Sequence, residues 1–269
     1  MNQQKNVQIF QDTMDLINTD PALRESTETA KKNTFLYAHN PEIIQRTRPS
    51  AHAAKKSVTK ERTIECALRL SKETSGRTAA LNFASPKHPG GGVANGASAQ
   101  EEAICRITNL YPCLCAMRDK NIFYDTKQKS PYTDKVLYSR DITVIKSDED
   151  EPVLLAENER IKIDIVTCAA PNQSGQKIPE NELYKIIEKR IMGVLDACIE
   201  NGAVNIVLGA WGCGAFRNPP QVVINAMMSA IAHNYNFAFD NIVFAVFARK
   251  HEQINYEVFE ETFRLWYYP

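Results

Sequence analysis

The sequence predicts an α/β fold: a mainly parallel sheet sandwiched by helices, with a helical N-terminal extension. Three observations carry that reading. Short apolar runs at 78–84, 161–170, 204–210 and 241–248 have the length and residue types of buried strands. Helix-length segments separate most of them, and strands alternating with helices imply βαβ crossovers and parallel pairing. The 269 residues are 43% hydrophobic and 24% charged, a globular composition with enough apolar material for one large core or two small ones.

Residues 1–60 are rich in Lys, Thr, Asn and Gln, with helices expected over 7–18 and 21–38. Their loose apolar spacing predicts a helical extension over 1–60, ahead of a main domain over 61–269. Ile64, Ala67, Leu68 and Leu70 fit one helical face. Residues 78–84 (TAALNFA) read as a short buried strand, and 98–117 as a helix that Pro112 ends or bends. The polar stretch 119–134 suits a long loop or β-excursion. Residues 136–145 alternate as a strand does, and 147–151 (SDEDE) form an acidic, solvated turn. There follow a strand (161–170), a loop (171–179), a helix (180–201), a strand (204–210), a glycine loop and a helix (219–233). A strand at 241–248 and a helix at 253–263 complete the order.

Thirty-two basic residues balance thirty-two acidic ones, so no overall field draws the chain to nucleic acid or to a membrane surface. The longest apolar run, 242–248, spans seven residues, against the roughly 20 that a membrane span needs. The first ten residues contain no apolar signal core, and seven cysteines without a C-x-x-C pair suit free thiols in a reducing compartment. A cytoplasmic protein is expected. Zinc spacings and H-E-x-x-H are absent, so no metal or cofactor is expected.

Seven of the eleven glycines fall in two loops, 90–96 and 209–214, each following an expected strand and leading towards a helix. In open α/β sheets, ligands bind beyond the carboxyl ends of strands in such loops. A glycine loop at a helix N-terminus presents free N–H groups and suits phosphate, although tight structural turns would use the same residues. Neither loop completes a Walker A or a G-x-G-x-x-G pattern. Gln100, Glu101 and Glu102 follow the first loop. Ser98 with Glu101 could be a capping box, and Glu102 an i,i+4 partner of Arg106. Alternatively, a desolvated glutamate beside another acid has a raised pKa and serves as a general acid. Cys213 lacks a sequence-adjacent base and reads as a small loop residue. Trp211 and Phe216 suit either the core or stacking on a ribose or base.

Read together, these residues resemble the macrodomain-type poly(ADP-ribose) glycohydrolases, in particular the short microbial branch. The resemblance rests on Gly90-Gly91-Gly92 followed after seven residues by Gln100-Glu101-Glu102, and on the 209–216 loop, GAWGCGAF. Residues 81–84 and 163–172 also resemble family segments, and the likeness runs over about 63–263. It implies a macrodomain-like catalytic domain that hydrolyses ribose–ribose O-glycosidic bonds and releases ADP-ribose. The implied general acid is Glu102; Glu101 positions the terminal ribose, Gln100 helps hold the pair, and Phe216 packs on the distal ribose. The implied substrate-binding set is Asn82, Ala84, Gly90, Gly91, Gly92, Asn95 and Gln100 with Gly209, Ala210, Trp211, Gly212, Cys213, Gly214, Ala215 and Phe216. The expected partner is ADP-ribose or poly(ADP-ribose) on modified proteins, with no membrane or direct nucleic-acid contact, and the chain is expected to be a monomer. Two departures matter: Asn82 stands where animal relatives have an aspartate, and Arg217-Asn218 follow Phe216 in place of small residues. Rival readings are a hydrolase of mono-ADP-ribosylated protein and a non-catalytic ADP-ribose reader, which would not need the glutamate pair.

Overall fold

Side chains along the central strands alternate between two apolar clusters, one on each face of the sheet. In β3 (Arg77–Phe83), Ala79 and Leu81 join one cluster and Ala80 the other. In β6 (Ala203–Leu208), Ile206 and Leu208 oppose Val207, and in β7 (Asn241–Ala245), Phe244 opposes Val243. A strand buried on both faces reads as a near-continuous apolar run, which is why these segments stand out in the sequence. The computed structural model describes residues 2–37, 52–175, 177–249 and 253–267.

Seven strands form one sheet in the order β1-β4-β5-β3-β6-β7-β2, where β1 is Thr34–Tyr37, β2 Lys55–Thr59, β4 Val136–Thr143 and β5 Lys162–Cys168. The β5-β3, β3-β6, β6-β7 and β7-β2 pairs are parallel, and β1-β4 and β4-β5 are antiparallel. Helices α6 (Glu180–Glu200), α7 (Pro220–Ala230) and α8 (Ile254–Tyr267) cover one face. The other face carries α1 (Gln3–Thr19), α3 (Thr63–Glu73), α4 (Gln100–Ile107) and α5 (Leu110–Asp119), with α2 (Pro21–Lys32) packed beside β4. No helix among the described residues is long and apolar enough to cross a membrane.

Two expectations change. The N-terminal stretch supplies two helices but also both edge strands: α2 stops at Lys32, and Thr34–Tyr37 pair with Ser139–Val136 of β4. Pairing with a distant strand overrides the helical reading of 34–37, and β2 (KKSVT) is polar enough to hide as a strand. The expected 98–117 helix breaks at Thr108–Asn109 rather than at Pro112. Thr108 is extended and bridges to Val144, and the Asn109 side chain accepts from Thr143 N at 2.8 Å. Pro112 then sits in the first turn of α5, where its missing N–H leaves nothing unpaired. Of the two forms expected for 119–134, the long loop holds, with no strand in it.

Candidate active site

Because β3 and β6 are parallel neighbours, the loops leaving their carboxyl ends lie side by side. Between those loops opens a cavity of about 710 Å³. Gly91, Glu101 and Glu102 line it from the first loop and α4, and Ala210, Gly212, Gly214, Ala215 and Phe216 line it from the second.

The first turn of α4 is fixed to the end of β3 by Gln100. Its Oε1 accepts from Phe83 N at 2.8 Å, while its Nε2 donates to Leu81 O at 2.7 Å and to Thr63 Oγ1 at 3.0 Å. With Gln100 pinned, the next two side chains are aimed. Glu101 is almost fully buried; its Oε2 accepts from Ser85 N at 2.7 Å and its Oε1 from Asn82 Nδ2 at 3.4 Å. No capping box forms: α4 starts after Ala99 without a side-chain cap bond. Glu102 Oε1 accepts from Gly92 N at 2.9 Å, so the carboxyl is held by the triple-glycine loop. Its Oε2 is buried with no hydrogen-bond partner among the described residues, which leaves one carboxyl oxygen of a cavity-lining acid for a ligand. Arg106 donates to Ala97 O at 2.6 Å, and Glu102 acts on its guanidinium through space, not through a hydrogen bond. Gly91 sits at φ +59, and a Cβ there would collide with Glu102 Oε1, so only glycine lets the loop lie this close.

Burial, reinforced by the neighbouring Glu102 charge, pushes the Glu101 carboxyl up to about 8, from an ordinary 4.5. A carboxyl raised in this way keeps its proton in the folded state over a window in which the unfolded chain has lost it. Folding stability from this group is therefore present at low pH and falls as pH rises from about 4.5 to about 8. Glu101→Gln keeps the neutral shape and should flatten that part of the slope. Melting temperatures of wild type and variant across pH 5–8 check this: the variant gains relative to wild type with rising pH, and parallel curves would contradict it.

Several expected binding residues lie behind the cavity wall. Asn82 and Ala84 are fully buried and do not line the cavity; Asn82 Nδ2 donates to Glu101 and Thr167, and its buried Oδ1 has no partner among the described residues. Trp211 lines the cavity but is almost wholly buried, and its Nε1 donates to Cys168 O at 3.1 Å, which fixes the ring beneath the loop. Gly90 and Gly209 are buried and line no part of the cavity. Gly92 acts through its N–H on Glu102, whereas Asn95 is exposed and stands outside the cavity. Burial pushes the Cys213 thiol far above its ordinary range, away from a reactive thiolate, and the residue does not line the cavity. Phe216 is half-buried at the cavity edge, with the Tyr132 ring 6.1 Å away at 50°.

A further part of the cavity lining was not singled out in the sequence. It is built by Arg62, Asp148, Val246, Phe247 and Arg249. Asp148 belongs to the turn expected to be solvated, yet its Oδ2 accepts from Ile64 N and Glu65 N at the start of α3, and burial pushes its carboxyl up. The Arg62 guanidinium lies 3.8 Å from the centre of the Phe247 ring and pairs with Asp150 at 2.5 Å. Phe247 follows β7, the strand next to β6, so the rule that sites gather at strand carboxyl ends points to it as well. Among the described residues, no cluster of three His, Cys, Asp or Glu side chains could hold a metal ion.

Residues 4–147, just over half of the chain, match the family described as microbial-type PARG, catalytic domain. The chain belongs to the microbial-type poly(ADP-ribose) glycohydrolase family. The match includes the first glycine loop and the glutamate pair, and solved structures extend the likeness to the remainder. Poly(ADP-ribose) glycohydrolase from Thermomonospora curvata is 28% identical with a TM-score of 0.85, over 96% of this chain and 99% of that one. The same enzyme bound to the inhibitor ADP-HPD superposes with a TM-score of 0.82. The glycohydrolase from Deinococcus radiodurans in complex with ADP-ribose is 29% identical with a TM-score of 0.78, over 89% of this chain and 98% of that one. No curated protein matches the chain. The glycohydrolase family is thus matched by the α/β architecture as well as by the loops.

Proposed function

We propose that this glycohydrolase releases ADP-ribose from poly(ADP-ribose) by hydrolysing the ribose–ribose O-glycosidic bond, with Glu102 as general acid and base. The observation that carries the assignment of Glu102 is its geometry. One oxygen is fixed by the glycine loop and the other is buried without a partner, on an acid that lines a cavity large enough for a nucleotide sugar. In this reading the ADP-ribose diphosphate lies between the 90–92 and 209–215 loops. Its adenine end occupies the Asp148–Phe247 region, where a carboxylate can accept from an exocyclic amine and an aromatic ring can stack. The terminal ribose meets Glu101, Glu102 and Phe216.

The chemistry suits such an arrangement. The C–O bond to the leaving hydroxyl breaks through an oxocarbenium-like state. Glu102 gives its proton to the departing oxygen, and as carboxylate it takes one from the water that adds to the anomeric carbon. The ligand diphosphate, held nearby by backbone amides, offsets the positive charge on the sugar. Glu101 holds the sugar in place, and Asn82 and Gln100 hold the acids. The α/β unit is read as macrodomain-like, and the seven free cysteines favour a reducing, cytoplasmic setting. The protein acts there as a monomer on ADP-ribosylated proteins.

Preference for polymer is tested by giving the enzyme automodified poly(ADP-ribosyl)ated protein and, separately, mono-ADP-ribosylated protein. The expected result is rapid release of free ADP-ribose from the polymer with the last protein-linked unit left behind. Equal or faster removal of the single protein-linked unit would assign the enzyme to mono-ADP-ribose instead.

A further inference from the structure

The triple-glycine loop leaves through Gly96 and Ala97, and two buried side chains from different helices grip it there. Asn6 of α1, 1% exposed, donates from Nδ2 to Gly96 O at 2.9 Å, across 90 residues of sequence. Arg106 of α4, 4% exposed, donates from Nη1 to Ala97 O at 2.6 Å. Thr13 Oγ1 in turn donates to Arg106 O at 2.5 Å, which ties α1 to α4. Gly96 is left-handed at φ +77, and a Cβ there would run into the carbonyl of Gln3, so the first turn of α1 rests directly on the loop backbone. At the entry to the loop, a Cβ on Gly90 would lie 2.8 Å from the Tyr111 ring, and Tyr111 meets Phe10 of α1 edge to face at 4.9 Å. Helix α1 thus backs the loop at both ends.

We propose that Asn6 is a positioning residue of the active site, and that α1 is part of the catalytic unit rather than an accessory to it. A loop with three consecutive glycines has few steric limits of its own, so its shape must be imposed from outside. The Gly96 carbonyl, buried under α1, needs a donor, and Asn6 supplies it. Fixing the exit of the loop fixes Gly91 and Gly92, and through Gly92 N the Glu102 carboxyl. Preorganisation of this kind lowers the ordering cost of ligand binding and keeps the acid aligned. The inference rests on the reading of 90–97 as the diphosphate cradle.

Asn6→Leu keeps the approximate side-chain shape but cannot donate, and Asn6→Ala removes the group. Both should weaken ADP-ribose binding, measured calorimetrically on folded protein, by about tenfold, the scale of one lost buried hydrogen bond. Both should also lower kcat, because Glu102 loses its anchor. The control is Ile17→Ala, on the same helix about 16 Å further along its axis and packed against Leu23 and Ile145. It should lower the melting temperature at least as much while leaving affinity and kcat as in wild type. Folded Asn6 variants with wild-type affinity, or an Ile17→Ala variant with the same affinity loss, would overturn the proposal. Should neither Asn6 variant fold, amide exchange in wild type decides: the 93–97 amides must open no more readily than the α1 amides around Asn6, and independent opening of the loop would overturn it. Wild type that binds no ADP-ribose would sink the cradle reading itself, and this inference with it.

Discussion

Glu102→Gln should abolish release of ADP-ribose while leaving ADP-ribose affinity within a few-fold of wild type. Losing a positioned general acid typically costs about 10²–10⁴-fold in rate. The loops that hold the diphosphate are untouched by this change, so ground-state binding should persist. Glutamine fits the site: its carbonyl can still accept from Gly92 N, and the neighbouring Glu101 network is intact. Single-turnover assays and calorimetry on the same preparation separate the two effects. A variant that turned over near the wild-type rate would remove Glu102 from the chemistry.

The second large effect is expected at Gly214. A Cβ built there meets no protein atom within 4 Å, and the residue lines the cavity. Gly214→Val should therefore fold with little loss of stability and place its methyl groups where the diphosphate binds. Affinity for ADP-ribose should fall by about 10²-fold or more, as several close backbone contacts to phosphate are lost at once. Gly91 is a poorer probe, because any side chain there strikes Glu102 and strains a left-handed residue. Wild-type affinity in folded Gly214→Val would move the diphosphate away from the second loop.

The glycine loops are legible in the sequence because their chemistry is local: a run of glycines after a strand and before a helix, with acids at a fixed spacing. The roles proposed for Gln100 and the paired glutamates come from the family resemblance, because the spacing in that one turn of α4 suits a capping box and an i,i+4 pair as well. For Trp211 the sequence leaves core and stacking surface both open; its indole is bonded to Cys168 O under the loop, on a residue that also lines the cavity. Asp148 stays hidden for the opposite reason. The amides that hold it lie 84 and 83 residues away at the start of α3, so nothing around SDEDE separates it from a solvated turn. The edge strands escape notice on similar grounds. Four and five residues long, and in β2 mostly polar, they take their conformation from β4 and β7, not from local preference. Asn6 is the extreme case: an ordinary polar residue on a helix, whose partner is a loop carbonyl 90 residues on.

Cleavage of ribose–ribose bonds by Glu102 is open to direct measurement. The direct measurement is to incubate wild type and Glu102→Gln with purified poly(ADP-ribose) and identify the products by chromatography and mass. Wild type should yield free ADP-ribose, with one water added for each bond cleaved, and the variant should leave the polymer intact. Polymer left intact by folded, ADP-ribose-binding wild type would contradict cleavage by Glu102, as would equal release of ADP-ribose by both proteins.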